Sequence, residues 1–126
     1  MTISVIRAGL QSTLQSRPRT GLQHDGVPAG GAADPLSMAL ANRLVGNTWD
    51  KPVIEATLVG PTLRFGSDCA FALTGALAHS TLNRAPVAQH ETVFAAAGDE
   101  LIIGSAEVGA RIYLAVAGGF VAEEIL

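Results

Sequence analysis

The stretch from Val53 to Gly75 reads VIEATLVGPTLRFGSDCAFALTG, in which short apolar runs are separated by Gly-Pro and Gly-Ser turn signals. The runs are rich in Val, Ile, Thr and Phe, residues that favour β-strands. Further runs of the same kind follow toward the C-terminus and read STLNRAPVAQ, ETVFAAAG, ELIIG and ARIYLAVAGG. Closely spaced turn residues of this kind are typical of a meander or barrel. We therefore predict a mainly β, mostly antiparallel domain.

The residues before this stretch add two extended segments and a long loop. Residues 3–8 and 10–15 are predicted to be extended, with a break at Gly9. Residues 16–34 read SRPRTGLQHDGVPAGGAAD, a loop rich in Gly and Pro. Loops of that length are uncommon in compact domains and are often functional. This loop is therefore the first place to look for a site.

A helix is predicted directly after the loop. Asp is a favoured N-cap, and Pro suits the first helical position because its missing N–H would be unpaired there anyway, so Asp34-Pro35 marks the start. Apolar residues then recur at helical spacing, at Leu36, Leu40 and Leu44, joined by Ala41 and Val45. Gly46-Asn47 is a natural stop. The pattern predicts one α-helix over about residues 35–45 with these five residues as its apolar face.

The composition excludes several classes of protein. The chain has 126 residues, of which 48% are hydrophobic and 15% charged, as suits one folded domain. Its net charge is −3 and its charges are scattered, so no basic patch is available for nucleic acid. Cys69 is the single cysteine, and neither a signal peptide nor an apolar run long enough to cross a bilayer is found. We expect a cytoplasmic protein with no nucleic-acid or membrane partner.

The loop before the helix has three candidate roles: it cradles an anion, holds a catalytic carboxylate or turns a corner. Phosphate binding is the least supported, because the only lysine, Lys51, lies beyond the helix and Asp34 places a carboxylate where an anion would sit. Asp34 is either a plain helix cap or a cap that also faces a substrate. His24, in the same loop, is either a surface residue or a proton carrier, since histidine titrates near neutral pH.

Polar residues within the predicted strands form a second group of candidates. Glu55 either faces solvent or pairs with an arginine such as Arg43 or Arg64, because an unpaired buried charge is costly. Thr74-Gly75 ends a predicted strand, where it either forms a turn or contacts a ligand. Cys69 is interpreted as a core residue rather than a nucleophile. We predict no metal site, because the histidines have no metal-ligand spacing; they are His24, His79 and His90.

Several motifs, in the same order over nearly the whole chain, resemble one family: VIRAGLQSTLQ, GLQHDGVPAGGAADPLSMALANRLVGN, IEATLVGPTLRF, ALTGA and GARIYLAVAGG. On these motifs the chain resembles the allophanate hydrolase subunit 2 family. That family includes one of the subunits of bacterial ATP-dependent 5-oxoprolinase, the antagonist of a sporulation kinase inhibitor, and part of the carboxyltransferase region of urea amidolyase. The resemblance covers the family's N-terminal part only, so we expect residues 1–126 to be the truncated N-terminal portion of such a domain.

The resemblance implies a cyclophilin-like, β-barrel-type domain that acts in a heteromer with a subunit 1-type protein. It implies either ATP-dependent opening of 5-oxoproline or transfer of a carboxyl group from biotin, with a small amide as the substrate. We expect no cofactor on this chain alone, and Lys51 lies in WDKPV rather than between methionines, so ATP or biotin would be carried by partner subunits. The matching positions imply candidate catalytic residues at His24, Asp34 and Glu55. They imply candidate substrate-binding residues at Gly31, Asn42, Thr74 and Gly75.

Departures from the family pattern lie in the loops where chemistry is expected. Ser16 and Pro18 replace an acid and a glycine, Gly30 replaces a serine, and Leu77 stands where an acid is common. A second hypothesis is therefore a non-catalytic module that has kept the fold and binds a subunit 1-type partner. In either case we expect this chain alone to be inactive. Because the chain ends soon after the apolar run ARIYLAVAGG, we also expect another region or another polypeptide to cover that strand.

Overall fold

The computed structural model describes residues 3–9, 12–15, 34–107 and 110–120. These ranges contain the helix α1 (Pro35–Leu44) and the strands β1 (Ile3–Arg7), β2 (Ser12–Gln15), β3 (Val53–Thr57), β4 (Thr62–Phe65), β5 (Cys69–Gly75), β6 (Thr81–Leu82), β7 (Ala85–Pro86), β8 (Val93–Ala95), β9 (Glu100–Ile102) and β10 (Arg111–Val116). The predicted mainly β fold with one helix is confirmed for this part of the chain. Each extended run predicted from the sequence contains at least one of these strands.

The strands form two five-stranded antiparallel sheets. The first sheet has the order β1-β4-β9-β6-β7, and the second has the order β2-β3-β10-β5-β8. Strands β6 and β7 form a hairpin whose turn residues, Asn83 and Arg84, have φ angles of 51° and 70°. Positive φ at both central positions is the geometry of a two-residue type I′ hairpin turn. The Asn83-Arg84 pair within STLNRAPVAQ thus forms the corner of this hairpin.

The main hydrophobic core lies between the two sheets. Leu63, Phe65 and Leu101 of the first sheet pack with Phe71, Leu73 and Leu114 of the second. The rings of Phe65 and Phe71 stack with their centroids 5.4 Å apart. Burial of these large side chains removes apolar surface from water, which is the main favourable contribution to folding.

Strand β10 lies at the centre of the second sheet and separates two apolar clusters. Ile112, Leu114 and Val116 point into the main core. Tyr113 and Ala115 belong to a second cluster, together with Met38, Ala41 and Val53. This alternation is expected because successive side chains of a strand point to opposite faces. Helix α1 therefore covers the outer face of the second sheet, over β5 and β10.

Helix α1 starts where predicted and ends at Leu44, but only part of its predicted apolar face is buried. Ala41 is buried against the sheet and Val45 packs against the same cluster, as predicted, whereas Leu36 is 83% exposed and Leu40 is 41% exposed. Met38, which was not predicted, is buried instead. The small side chains of Ala41 and Ala115 belong to this cluster. The prediction was wrong for Leu36 and Leu40 because periodicity alone does not show which part of a broad apolar arc meets the sheet.

Candidate functional site

A row of polar side chains crosses the helix-covered face of the second sheet. In the strand register Thr13 lies opposite Glu55, Glu55 opposite Tyr113, and Tyr113 opposite Thr74. Directly opposed residues of antiparallel strands project from the same face and lie close together. We call these four residues, Thr13, Glu55, Tyr113 and Thr74, the polar row. They interrupt a face that is otherwise apolar near the helix.

The start of helix α1 is held directly on the polar row. The Asp34 N–H donates a hydrogen bond to Tyr113 Oη over 2.9 Å. The Thr74 hydroxyl, fully buried, donates to the Ser37 carbonyl oxygen over 2.7 Å. The helix then runs toward the other end of the sheet, where the Thr92 hydroxyl donates to the Leu44 carbonyl oxygen. Tyr113 and Thr74 of the polar row therefore lie under the N-terminal end of the helix.

Glu55 is the buried charge of the row. It is 8% exposed, and its Oε2 accepts a hydrogen bond of 2.5 Å from the Tyr113 hydroxyl. Its Oε1 lies 3.9 Å from Arg111 Nε. Of the two sequence-based alternatives, pairing with an arginine is confirmed and solvent exposure was wrong, but the partner is Arg111 and neither Arg43 nor Arg64. Arg64 lies on the other sheet and pairs with Glu100 at 3.2 Å, whereas Arg111 shares a strand face with Tyr113.

Tyr113 is fully buried, and its hydroxyl is hydrogen-bonded to two partners, the Asp34 N–H and the Glu55 carboxylate. Burial raises the pKa of Tyr113 well above its ordinary value, and its hydrogen bond to the carboxylate of Glu55 raises it further. The phenol therefore stays protonated at neutral pH. It acts as a donor to Glu55 and an acceptor from the helix start, not as a base.

Asp34 is the N-cap of helix α1, as both sequence-based interpretations required. Its Oδ1 accepts from the Ser37 N–H over 3.1 Å, and its Oδ2 accepts from the Ser37 hydroxyl over 2.6 Å. These hydrogen bonds lower the pKa of Asp34, the hydroxyl contributing most. The carboxylate thus stays ionised near neutral pH and occupies the helix N-terminus. That arrangement disfavours a phosphate at the same position.

Thr74 and Gly75 lie at the end of β5, where they pair with Tyr113 and Ile112 of β10. Gly75 has a φ of 92°, and a Cβ at this position would lie 2.3 Å from the Arg111 carbonyl oxygen. The Ala76 N–H also donates to that oxygen over 2.8 Å. A glycine is needed here because a side chain would collide with the neighbouring strand. The structure brings Asp34, Glu55, Thr74 and Gly75 together, and their roles toward a substrate remain predictions.

Asn42 lies at the other end of the helix, away from the polar row. It is fully buried, and its Nδ2 donates to the carbonyl oxygens of Trp49 and Lys51 over 3.0 and 2.8 Å. Its Oδ1 accepts from Asn47, which also donates to the Val116 carbonyl oxygen. These contacts tie the helix to the segment that follows it. The prediction that Asn42 binds substrate gains no support from its position.

Two of the predicted site residues, His24 and Gly31, lie outside the described residues, as do Ser16, Pro18 and Gly30. Three residues at the polar row were not predicted: Ser37, Arg111 and Tyr113. Arg111 and Tyr113 alternate with Ile112 and Leu114 in RIYLAV, so a strand places both on the face opposite the core. That alternation was the sequence signal from which Arg111 and Tyr113 could have been predicted.

Other chemistry has little support in the described part of the chain. It contains no group of three His, Cys, Asp or Glu residues that could hold a metal ion. The buried Cys69 belongs to the main core, as predicted, and burial raises the pKa of its thiol, which leaves little thiolate to act as a nucleophile. Within the same ranges, no helix has the length and apolar character needed to span a membrane.

The two sheets, the helix over one of them and the polar row beneath it define a β domain with a polar site under the helix. Residues 25–126 match the family described as "Carboxyltransferase domain, subdomain A and B". The chain belongs to this carboxyltransferase-domain family.

The chain is 41% identical over 123 residues to urea amidolyase of Lachancea kluyveri and 38% identical over 117 residues to a 5-oxoprolinase subunit of Escherichia coli. These alignments cover 97% and 93% of this chain, but only 7% and 38% of the two relatives. The crystal structure of the Kluyveromyces lactis urea carboxylase superposes with a TM-score of 0.89 at 41% identity, covering 93% of this chain and 10% of that one. The chain thus spans a minor part of each relative.

Proposed function

We propose that the chain is the N-terminal portion of a subunit or domain in a heteromeric enzyme that acts on a small amide. The enzyme is either an ATP-dependent 5-oxoprolinase or a biotin-dependent carboxyltransferase; the relatives named 5-oxoprolinase and urea carboxylase support these two choices. Within the carboxyltransferase-domain family, we assign it to the allophanate hydrolase subunit 2 type. We further propose a cytoplasmic location and a subunit 1-type partner.

One observation carries the proposal: a buried carboxylate, Glu55, is held under the helix start by Tyr113 and lies beside Arg111. Burial of a charge is costly, and well-packed apolar residues would stabilise a sheet face at least as well. Clusters of buried, mutually hydrogen-bonded titratable groups occur preferentially at functional sites. The polar row is therefore better explained as part of a site than as part of the packing.

The proposed roles follow from the exposure, ionisation and position of each residue. Asp34 is exposed and ionised, and its lowered pKa makes it a weak base. We therefore assign it to accept a hydrogen bond from an amide N–H of the substrate rather than to remove a proton. Thr74 lies beneath the helix start and is followed by Gly75, and His24 and Gly31 precede the helix in the sequence.

Neither ATP nor biotin is assigned to this chain. The helix N-terminus, where phosphates commonly bind, is occupied by the Asp34 carboxylate, so it does not fit a triphosphate. Lys51 is the only lysine in the sequence, and its aliphatic carbons lie beside Gly119. The proposal therefore places ATP or carboxylated biotin on partner subunits, with this chain helping to bind and orient the amide.

The test is ATP-dependent release of glutamate from 5-oxoproline, measured with this chain alone and with a subunit 1-type protein and an ATP-binding partner subunit. A second arm replaces 5-oxoproline by urea and supplies a biotin carrier and bicarbonate. We expect turnover in one mixture only, with a loss of at least about tenfold in Asp34→Ala and in His24→Ala. Arg64→Gln, which alters an arginine on the other sheet, should keep full activity.

A second candidate function is a non-catalytic module that binds a subunit 1-type partner. It is favoured by two large apolar side chains close in sequence to Asp34 and Thr74, namely Leu36 and Leu77, each 83% exposed. Leu36 lies two positions after Asp34, and Leu77 lies three positions after Thr74. Complex formation without turnover in both arms of the assay would favour this candidate and overturn the enzyme proposal.

A further inference from the structure

The outer face of the first sheet carries a surface cavity of about 460 Å³. Leu63, Phe65 and Leu101 of β4 and β9 point into the main core, so Arg64 and Glu100, which alternate with them, point away from it. The cavity and the polar row therefore lie on opposite sides of the sandwich. The volume of the cavity is within the range of small-molecule sites. Its described lining consists of Arg64, Asn83, Arg84, Gly98, Glu100 and Ile102.

Arg84 has a backbone conformation that arginine rarely adopts. It is the second central residue of the β6–β7 turn and has a φ of 70°. Turns with positive φ at both central positions favour Asn-Gly, because glycine has no Cβ that would be strained there. Residues in sparsely populated backbone regions cost free energy and cluster at functional sites. An arginine at this corner is therefore better explained by what its side chain binds than by the needs of the turn.

The turn is fixed on β9 by Asn83, the residue before Arg84. The Asn83 N–H donates to the Glu100 carbonyl oxygen over 2.9 Å, and the Glu100 N–H donates to Asn83 Oδ1 over 2.9 Å. Asn83 Nδ2 donates to Asp99 Oδ1 over 2.7 Å, and the Ala96 N–H donates to Asp99 Oδ2 over 2.8 Å. These hydrogen bonds fix the position of the Arg84 backbone beside the cavity.

Arg84 supplies an uncompensated positive charge to the cavity. Arg64 Nη2 lies 3.2 Å from Glu100 Oε2, so those two charges compensate each other. The Arg84 side chain, in contrast, makes no hydrogen bond or ion pair with any described residue. The nearby Asp99 carboxylate already accepts a hydrogen bond from Asn83. Within the described lining, the guanidinium of Arg84 is thus available to a ligand.

We propose that this cavity binds a small monocarboxylate and that Arg84 holds its carboxylate group. A guanidinium pairs with a carboxylate through two parallel N–H···O hydrogen bonds, which give both affinity and orientation. The negative charges of Glu100 and Asp99 repel a ligand with two negative charges, so inorganic phosphate fits less well. Ile102, which is 41% exposed, offers an apolar wall to the body of the ligand. This site does not depend on the proposed function, because the polar row lies on the other sheet.

A titration of the 126-residue chain, followed by two-dimensional NMR, tests the site. The probes are butyrate, its uncharged analogue butyramide, and inorganic phosphate. The Nε–H resonances of Arg84 and Arg43 are recorded with the Gly98 amide, and Arg43, exposed on helix α1, is the internal control. We expect butyrate to give saturable shifts at Arg84 and Gly98 but not at Arg43. Butyrate should bind at least about tenfold more tightly than butyramide or phosphate.

Substitutions at position 84 separate ligand binding from folding. Arg84→Gly gives the turn its preferred Asn-Gly pair, so it should raise the midpoint of urea denaturation. The same variant should bind butyrate at least about tenfold more weakly than wild type. Arg84→Lys keeps the charge but loses the planar fork, so it should retain only part of the affinity. Arg43→Gln, the matched control for net charge, should keep the affinity within about twofold.

The outcomes decide for or against the Arg84 site. Loss of butyrate binding in an Arg84→Gly variant that is at least as stable as wild type supports the site, since misfolding cannot then explain the loss. Similar shifts at Arg84 and Arg43 would show only general screening of charge and would overturn the site, as would the lack of any saturable shift at Arg84. Binding of butyramide or phosphate as tight as that of butyrate would overturn the monocarboxylate as the ligand. A lower denaturation midpoint in Arg84→Gly would mean that the arginine serves the fold, and would count against the site.

Discussion

At the scale of single residues, Asp34 shows how one side chain can serve both the fold and the site. Its carboxylate closes the N-terminus of helix α1 by accepting two hydrogen bonds from Ser37. Its backbone N–H points the other way and donates to Tyr113 in the sheet. The capping role was predictable, because an Asp-Pro pair before a helical pattern is a local signal. The contact with Tyr113 was not predictable, because it depends on where the sheet lies.

Asp34→Ala should lower the free energy of unfolding by about 1 kcal/mol near neutral pH, through loss of the cap. The hydrogen bonds lower the pKa of Asp34 in the folded state below its ordinary value of 3.8. A lowered folded-state pKa means that the ionised form stabilises the fold above the ordinary value, and that this contribution is lost as the pH falls through the folded-state pKa. Solvent screening keeps the effect modest, because the side chain is exposed.

Urea denaturation of wild type and variant at neutral and strongly acidic pH measures this effect. Asp34→Asn is the control, because asparagine is also a good N-cap but does not titrate, so its stability should differ little from wild type near neutral pH. A difference between wild type and Asp34→Ala that stayed the same in acid would show that the charged cap is not the cause.

At the scale of elements, local sequence signals placed the strands and the helix, but not the face that the helix buries. Turn residues such as Asn83 and Gly98 mark corners because asparagine and glycine tolerate positive φ, without information from the rest of the fold. The buried helix face depends on the side chains of the opposing sheet. Ala115 in that sheet allows close approach, which selects the side of the helix that carries Ala41 over the side that carries Leu36.

Two matched substitutions test this assignment of the helix faces. Ala41→Leu should lower the free energy of unfolding by about 1–3 kcal/mol, because the added atoms have no space between the helix and the sheet. Leu36→Ala removes a side chain that is 83% exposed and should change stability by no more than about 0.5 kcal/mol. Chemical denaturation of both variants gives the comparison. The reverse order of effects would mean that the helix packs through its leucines.

At the scale of the whole molecule, the polar row exists only because distant segments become neighbours. Thr13, Glu55, Tyr113 and Thr74 come from four strands, and their contact requires the order β2-β3-β10-β5. Nothing in the local sequence specifies which strands pair. The buried position of Glu55 between Tyr113 and Arg111 therefore could not be derived from the residues around it. The alternation of polar and apolar residues in β10 shows which face of the sheet its polar side chains share. It does not identify their partners on that face.

Tyr113 joins the helix start to β3 and β10, so its hydroxyl should affect the stability of the whole domain. Tyr113→Phe removes the donor to the buried Glu55 and the acceptor of the Asp34 N–H, and it should lower the free energy of unfolding by about 1–3 kcal/mol. Hydrogen exchange should also speed up at the Asp34 amide, while the amides of β4 and β9 keep protection close to the new global limit.

Thr92→Val is the control, since it removes one hydroxyl hydrogen bond to the exposed opposite end of the helix and should cost no more than about 1 kcal/mol. Denaturant titration gives the free energy of unfolding of both variants, and hydrogen exchange gives the protection of the Asp34 amide in each. If Tyr113→Phe costs no more than Thr92→Val and leaves the Asp34 amide protected, the hydroxyl does not bridge the helix and Glu55. In that case the helix start is held by the Thr74 contact and by packing alone.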